Sequence, residues 1–221
     1  MVQTLPADPT LDEIRAVLAP LIAETAAFDG FSDAALADGA QRSGVDPDVA
    51  RLAFPGGARD MVDAWFASID TAMAERWPAE KLAMLKIRER ITTLVETRID
   101  LLARNRESLR RALALLALPT NAPHAAKLGW RAADLMWRLA GDTATDYNHY
   151  SKRTILGAVY GSTMAVFLND ESEDFADTRA FLARRIDSVM RFESWKHRRA
   201  ARSIERPSFA RFVGRLRYPG R

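Results

Sequence analysis

Residues 141–190 read GDTATDYNHYSKRTILGAVYGSTMAVFLNDESEDFADTRAFLARRIDSVM. Apolar residues recur there every three or four positions, which predicts two helices. The first spans about Asn148 to Leu168 and carries Tyr150, Ile155, Leu156, Val159, Tyr160, Met164, Val166 and Phe167. The acidic loop Asp170 to Asp174 ends it. The second spans about Phe175 to Arg198, with Phe181, Leu182, Ile186, Val189 and Met190 inward. No run of alternating strand pattern interrupts this period elsewhere, so the expected class is all-α.

Upstream, punctuation residues mark further helices. One spans about Thr10 to Phe28 and stops at Gly30, although Pro20 argues against continuity because a mid-helix proline removes a hydrogen bond. A short helix starts after Ser32 and ends near Gly44. Another opens with Asp46-Pro47 and stops at Phe54-Pro55-Gly56-Gly57. Longer helices cover Ala58 to Trp77, a stretch from Pro78 past Leu102, one after Asn105 to Leu118, and Ala125 to Leu139 with Gly141 as its stop. About nine helices are expected, plus a short one at the C-terminus.

Composition narrows the chemistry. The chain has 221 residues, 48% hydrophobic and 28% charged, which suits a packed domain. It contains no cysteine, so disulfides and thiolate chemistry are excluded. Its histidines, His124, His149 and His197, stand far apart, and no zincin, di-iron, P-loop or nucleophile-elbow spacing occurs. No catalytic residue, metal or cofactor is therefore expected, and the chain reads as a non-enzyme. Met1 to Ile14 lack the basic start and apolar run of a secretory signal. The uncharged stretch Thr154 to Asn169 is shorter than the roughly 18–20 residues a spanning helix needs.

Charge is distributed unevenly. Residues 1–60 hold ten carboxylates against four arginines, whereas residues 195–221 hold nine cations against Glu205. Three parts are expected: residues 1–57, a helical body over 58–199, and a basic tail over 200–221. Within the tail, Phe209, Phe212, Val213 and Leu216 form one apolar stripe, with Arg211 and Arg215 opposite. A short basic amphipathic helix of this kind suits an anionic membrane surface. Docking onto the chain's own body, or onto an acidic partner or nucleic acid, remains open.

The order of helices over residues 10–65, with Gly44 and Phe54-Pro55, resembles the N-terminal part of TetR-type regulators. Their second short helix enters the DNA major groove. Here the corresponding segment, Asp46 to Phe54, holds two aspartates and only Arg51. DNA binding draws on Lys and Arg contacts to phosphate, so nucleic acid is not expected as a partner. A TetR-like regulator is the alternative reading.

Residues 141–190 also carry an ordered set: Gly141-Asp142, Asp146, Tyr150, Lys152-Arg153, Leu156, Tyr160, Thr163, Asp170, Phe175, Thr178, Phe181-Leu182, Arg185 and Met190. With Pro119 and Met136-Trp137, this set resembles the Coq-nine family, accessory lipid-binding proteins of coenzyme Q (ubiquinone) synthesis. The resemblance implies a TetR-like all-helical fold, a homodimer, and no DNA-binding role. It implies an apolar cavity for an isoprenoid or quinone-precursor lipid, for which Met136, Trp137, Leu156, Val159, Tyr160, Thr163 and Met164 are the candidates. From the residues alone these could equally be core. It implies a partner in the pathway's hydroxylase, met by Asp146, His149, Tyr150 and Arg153. The family has Trp directly before that tyrosine, where this chain has His149. Read from the residues, Lys152 and Arg153 either close a salt-bridged helix end or face an acidic partner. The resemblance further implies that the tail residues Phe209, Arg211, Phe212, Val213, Arg215 and Leu216 touch membrane. The expected location is cytoplasmic and peripheral, on the inner face of a bacterial inner membrane, or on the mitochondrial inner membrane in a eukaryote.

Overall fold

A computed structural model describes the backbone of residues 5, 6, 8–143 and 147–204, and among these the side chains of all but 147, 148 and 192–204. The tail residues 205–221, with all six membrane candidates, and Asp146 lie outside the described residues. Ten α-helices and no strand are found among the described residues. The class is all-α, as read.

The N-terminal helices begin and end where their caps dictate. α1 (Leu11–Asp29) opens with a capping box in which Thr10 and Glu13 satisfy each other's backbone N–H groups, and it ends at Gly30, φ +69°. It runs unbroken through Pro20. Leu18, Ala19, Ile22 and Ala23 are fully buried around that point, and their burial outweighs one lost hydrogen bond. Ser32 caps α2 (Asp33–Ser43), which Gly44 closes in the left-handed region. Asp46 caps α3 (Pro47–Ala53) by accepting from Asp48 and Val49, with Pro47 in the first turn. Phe54 is buried behind it, and Gly57, φ +60°, turns the chain into α4 (Ala58–Arg76).

The stretch from Pro78 to Leu102 departs from expectation. It forms α5 (Ala79–Ala83) and α6 (Ile87–Ala103), separated by Met84, Leu85 and Lys86. No glycine or proline marks this break. Two side chains impose it instead. Glu89 accepts from the Lys86 N–H at 2.9 Å and so caps α6. Arg90 donates to the carbonyls of Leu85 at 2.8 Å and Ala83 at 3.1 Å, taking acceptors that a continuous helix would have used.

α7 (Arg106–Leu116) follows Asn105. A single 3-10 turn, Pro119–Asn121, leads into α8 (Ala122–Leu139). α9 (Tyr147–Phe167) returns along it, and a second 3-10 turn, Glu173–Phe175, precedes α10 (Ala176–Ile204). The chain divides into two compact units, Met1–Leu182 and Ala183–Arg221. In the first, α1 packs on α2, α3, α4 and α7 around Leu18, Ile22 and Trp65, while α8 packs mainly on α9. Among the described residues of the second, Ala183 to Ile204 continue α10 as one helix, with Arg184 and Arg185 exposed.

Candidate functional site: the α8–α9 pair

α8 and α9 are tied at one end by buried charge. The Arg153 side chain is 2% exposed, and its guanidinium bridges Asp134 of α8 at 2.6 Å and Asp142 of the α8–α9 turn at 3.1 Å. It also donates to the His149 carbonyl at 3.1 Å. Lys152 adds a second cation to Asp142 at 2.6 Å, and its ammonium lies 5.3 Å from the Trp137 ring centre. Trp137 in turn donates its indole N–H to the Lys152 carbonyl at 3.0 Å. Burial alone would raise the Asp142 carboxyl. Hydrogen bonds from Lys152 and Arg153 overcome this and hold it below the usual carboxylate range.

The salt-bridged helix end is therefore the arrangement found, and Arg153 does not present its charge to solvent. Its position corrects the idea of an exposed cation. What the clamp presents instead is a group of rings. Tyr150 is 61% exposed and Trp130 of α8 is 37% exposed. Their ring centres lie 5.9 Å apart, and His149 sits 6.3 Å from Trp130 and 5.1 Å from Tyr150. Exposed large aromatics in mutual contact are a typical interface anchor. Sequence reasoning named His149 and Tyr150 but not Trp130, whose contact with them is made only by the packing of α8 on α9.

The seven lipid candidates lie on α8 and α9, which pack on each other. Met136, Leu156, Val159, Thr163 and Met164 are buried. Thr163 donates its hydroxyl to the Val159 carbonyl at 2.7 Å. Trp137 and Tyr160 are half-buried.

Tyr160 reaches a second buried polar cluster. Its hydroxyl accepts from Arg98 of α6 at 3.0 Å, and the guanidinium lies 5.2 Å from its ring centre. Arg98, fully buried, also pairs with Asp70 of α4. Asp70 takes a further bond from Arg131 of α8 at 3.1 Å, and Arg131 pairs with Asp63. Burial works against the Arg98 charge, yet Tyr160 and Asp70 raise its pKa above the ordinary value. Four helices are thereby pinned to one another through alternating charge.

An open cleft of about 460 Å³ lies elsewhere, between α1 and α4. Asp12, Arg15, Asp60, Asp63, Ser68 and Thr71 line it together with three alanines. The charged side chains Asp12, Arg15, Asp60 and Asp63 on its wall do not suit an apolar chain. Among the described residues no cluster of three histidines or carboxylates could hold a metal ion, and no helix is long and apolar enough to cross a membrane.

Residues 122–193, which include the rings and the Arg153 clamp, match the COQ9 family. The chain is 34% identical over 168 residues to the ubiquinone biosynthesis protein COQ9, mitochondrial, of Homo sapiens, covering 73% of this chain and 52% of that protein. It is 33% identical over 167 residues to the COQ9 protein of Rattus norvegicus, covering 73% and 54%. The chain is homologous to the COQ9 family. It spans about half the length of the curated COQ9 relatives it matches. In fold, it matches a TetR transcriptional regulator from Nitrosomonas europaea ATCC 19718 with a TM-score of 0.63 at 24% identity, covering 79% of this chain and 97% of that one. The COQ9-like sequence is thus carried on a TetR-like bundle.

Proposed function

We propose that this chain is a lipid-binding, non-enzymatic accessory protein of ubiquinone biosynthesis. In this reading it presents a polyprenyl quinone precursor to the pathway's hydroxylase and works as a homodimer, peripheral to a membrane. The observation that carries the reading is the 34% identity over 168 residues to a ubiquinone biosynthesis protein. The exposed rings on α8 and α9, within the family's matched residues, support it.

In this reading each residue has a role. Trp130, His149 and Tyr150 form the partner contact. Trp130 supplies the indole that the neighbour of Tyr150 lacks. Arg153 acts from beneath as a positioning residue, and Asp146 is retained as a contact. The lipid lies against Met136, Trp137, Leu156, Val159, Tyr160, Thr163 and Met164 between α8 and α9, most of them buried. Thioether side chains such as Met136 and Met164 adapt readily to such a ligand. The division into an N-terminal part over 1–57, a bundle over 58–199 and a membrane-binding tail over 200–221 belongs to the same reading, with the tail meeting the inner face of the membrane.

The TetR-like fold alone does not favour a DNA-binding role. Arg51 of α3 is paired with Asp48 in the same helix, leaving a segment that a phosphate backbone repels. Organic extraction of the purified chain, followed by mass spectrometry, tests the proposal. A quinone precursor or other isoprenoid at near one per chain is the expected result. A consistently empty protein from cells that make ubiquinone sinks it.

A further inference from the structure

The break between α5 and α6 produces a second surface of unusual composition. Met84 at its tip is 87% exposed and Ile87 is 43% exposed, with Ala83 also at the surface. Leu82 beside them is buried, so the turn has a core anchor and does not need its tip residues for folding. Lys81, Lys86 and Arg88 surround the tip and are all exposed. Two carboxylates, Glu80 and Glu89, share the segment, and Glu89 is engaged in capping α6.

The turn is fixed firmly in place. Arg90 holds the carbonyls of Ala83 and Leu85 from below, and at 2.8 Å it holds the carbonyl of Ala140 at the end of α8. Arg138, largely exposed and paired with Asp134 at 3.0 Å, stands two residues before Ala140. One end of the bundle therefore joins an apolar tip to several long cations on a rigid base.

We propose that the α5–α6 turn is a contact for an anionic lipid surface, separate from the tail. Met84 and Ile87 enter the headgroup region of the bilayer, and Lys81, Lys86 and Arg88 meet its phosphates. Apolar side chains rimmed by cations match the boundary between acyl chains and charged headgroups. Long cationic stems can lie along apolar surface while their heads stay at phosphate depth. Lysine is depleted in the cores of protein–protein interfaces, so this mixture fits lipid better than a protein partner. The inference uses neither the family likeness nor residues 200–221.

Because the chain has no cysteine, Met84→Cys offers a single labelling site. The full chain carrying a nitrobenzoxadiazole dye there is mixed with phosphatidylcholine vesicles, with and without phosphatidylglycerol. Phe28→Cys, at another apolar position that is 82% exposed, serves as the reference. The expected result is a blue shift and brighter emission at position 84 with anionic vesicles, and little change at position 28. Replacing Lys81, Lys86 and Arg88 by Gln should weaken partition onto anionic vesicles by about five-fold per cation. If the chain co-sediments with anionic vesicles while the dye at 84 stays in water, the turn is not membrane-facing and the tail reading stands. Equal shifts at 28 and 84 mean general adsorption and overturn the assignment. Absence of co-sedimentation overturns both membrane contacts.

Discussion

The α1–α3 region and the α8–α9 pair use the same residue types in opposite ways. In α1–α3, arginines meet carboxylates open to water: Arg15 with Asp12, Arg42 with Glu24 and more loosely with Asp38, and Arg51 with Asp48. In α8–α9, Arg153 meets Asp134 and Asp142 from 19 and 11 positions away, inside the protein. A screened pair at the surface contributes little, because water already solvates both partners. A buried pair adds little over an apolar alternative, but removing one partner leaves the other's charge stranded. Burial, and not the number of ion pairs, decides which arginines the fold depends on.

The largest effect is expected for Arg153→Ala. It leaves the buried Asp142 with Lys152 alone and strips Asp134 of its close inward partner. Urea unfolding at neutral pH should show a loss of about 3–5 kcal/mol. Arg153→Lys keeps a charge but cannot bridge two carboxylates, so it should fall in between. A loss below about 1 kcal/mol for the alanine variant would mean that the clamp is not buried in solution.

A smaller effect is expected at the turn between α9 and α10. Asp170 accepts from the backbone N–H groups of Ser172 and Thr178, each at 2.8 Å, and from both hydroxyls. Burial would raise this carboxyl, but those four bonds hold it far below the usual carboxylate range. Asp142 is lowered as well, by Lys152 and Arg153 working against its burial. A depressed carboxylate stabilises the fold fully above its unfolded pKa of about 3.9, and the contribution fades as pH falls towards the folded value. The urea midpoint should therefore drop steadily below about pH 4. Asp170→Ala should cost about 2 kcal/mol at neutral pH and make that acid slope shallower. An unchanged slope would remove Asp170 from the account.

Much of the fold was legible because its signals are local. Thr10, Ser32, Asp46-Pro47, Gly44 and Gly141 act within one turn of their own helix, and each marks a boundary found in the structure. The α5–α6 break was not legible, because Arg90 makes it by reaching back along the chain and across to Ala140. The site was half legible. Tyr150 and His149 were named through a family resemblance, whereas Trp130 joins them only once α8 lies on α9. The Asp70 cluster draws partners from 28 and 61 positions away, and no spacing rule reaches that far. Whether an apolar stripe encloses a hollow is a property of packing, which the stripe itself leaves undetermined.

The smallest predicted effect is the most exacting test of the comparison. Arg51→Ala removes an ion pair as close as many in the interior, but both partners are well exposed. Asp48 keeps a favourable place in the first turn of α3, where the helix dipole stabilises negative charge without any cation. Alanine also favours helix slightly more than arginine. The change in unfolding free energy should stay within about 0.5 kcal/mol. A gel shift with DNA should be as weak for this variant as for the unaltered chain, since a lone arginine beside two aspartates gives phosphate little to hold. A destabilisation approaching that of Arg153→Ala would show that exposure is not the variable separating the two regions, and that α3 is held by its charges rather than by Ala50, Ala53 and Phe54 beneath it.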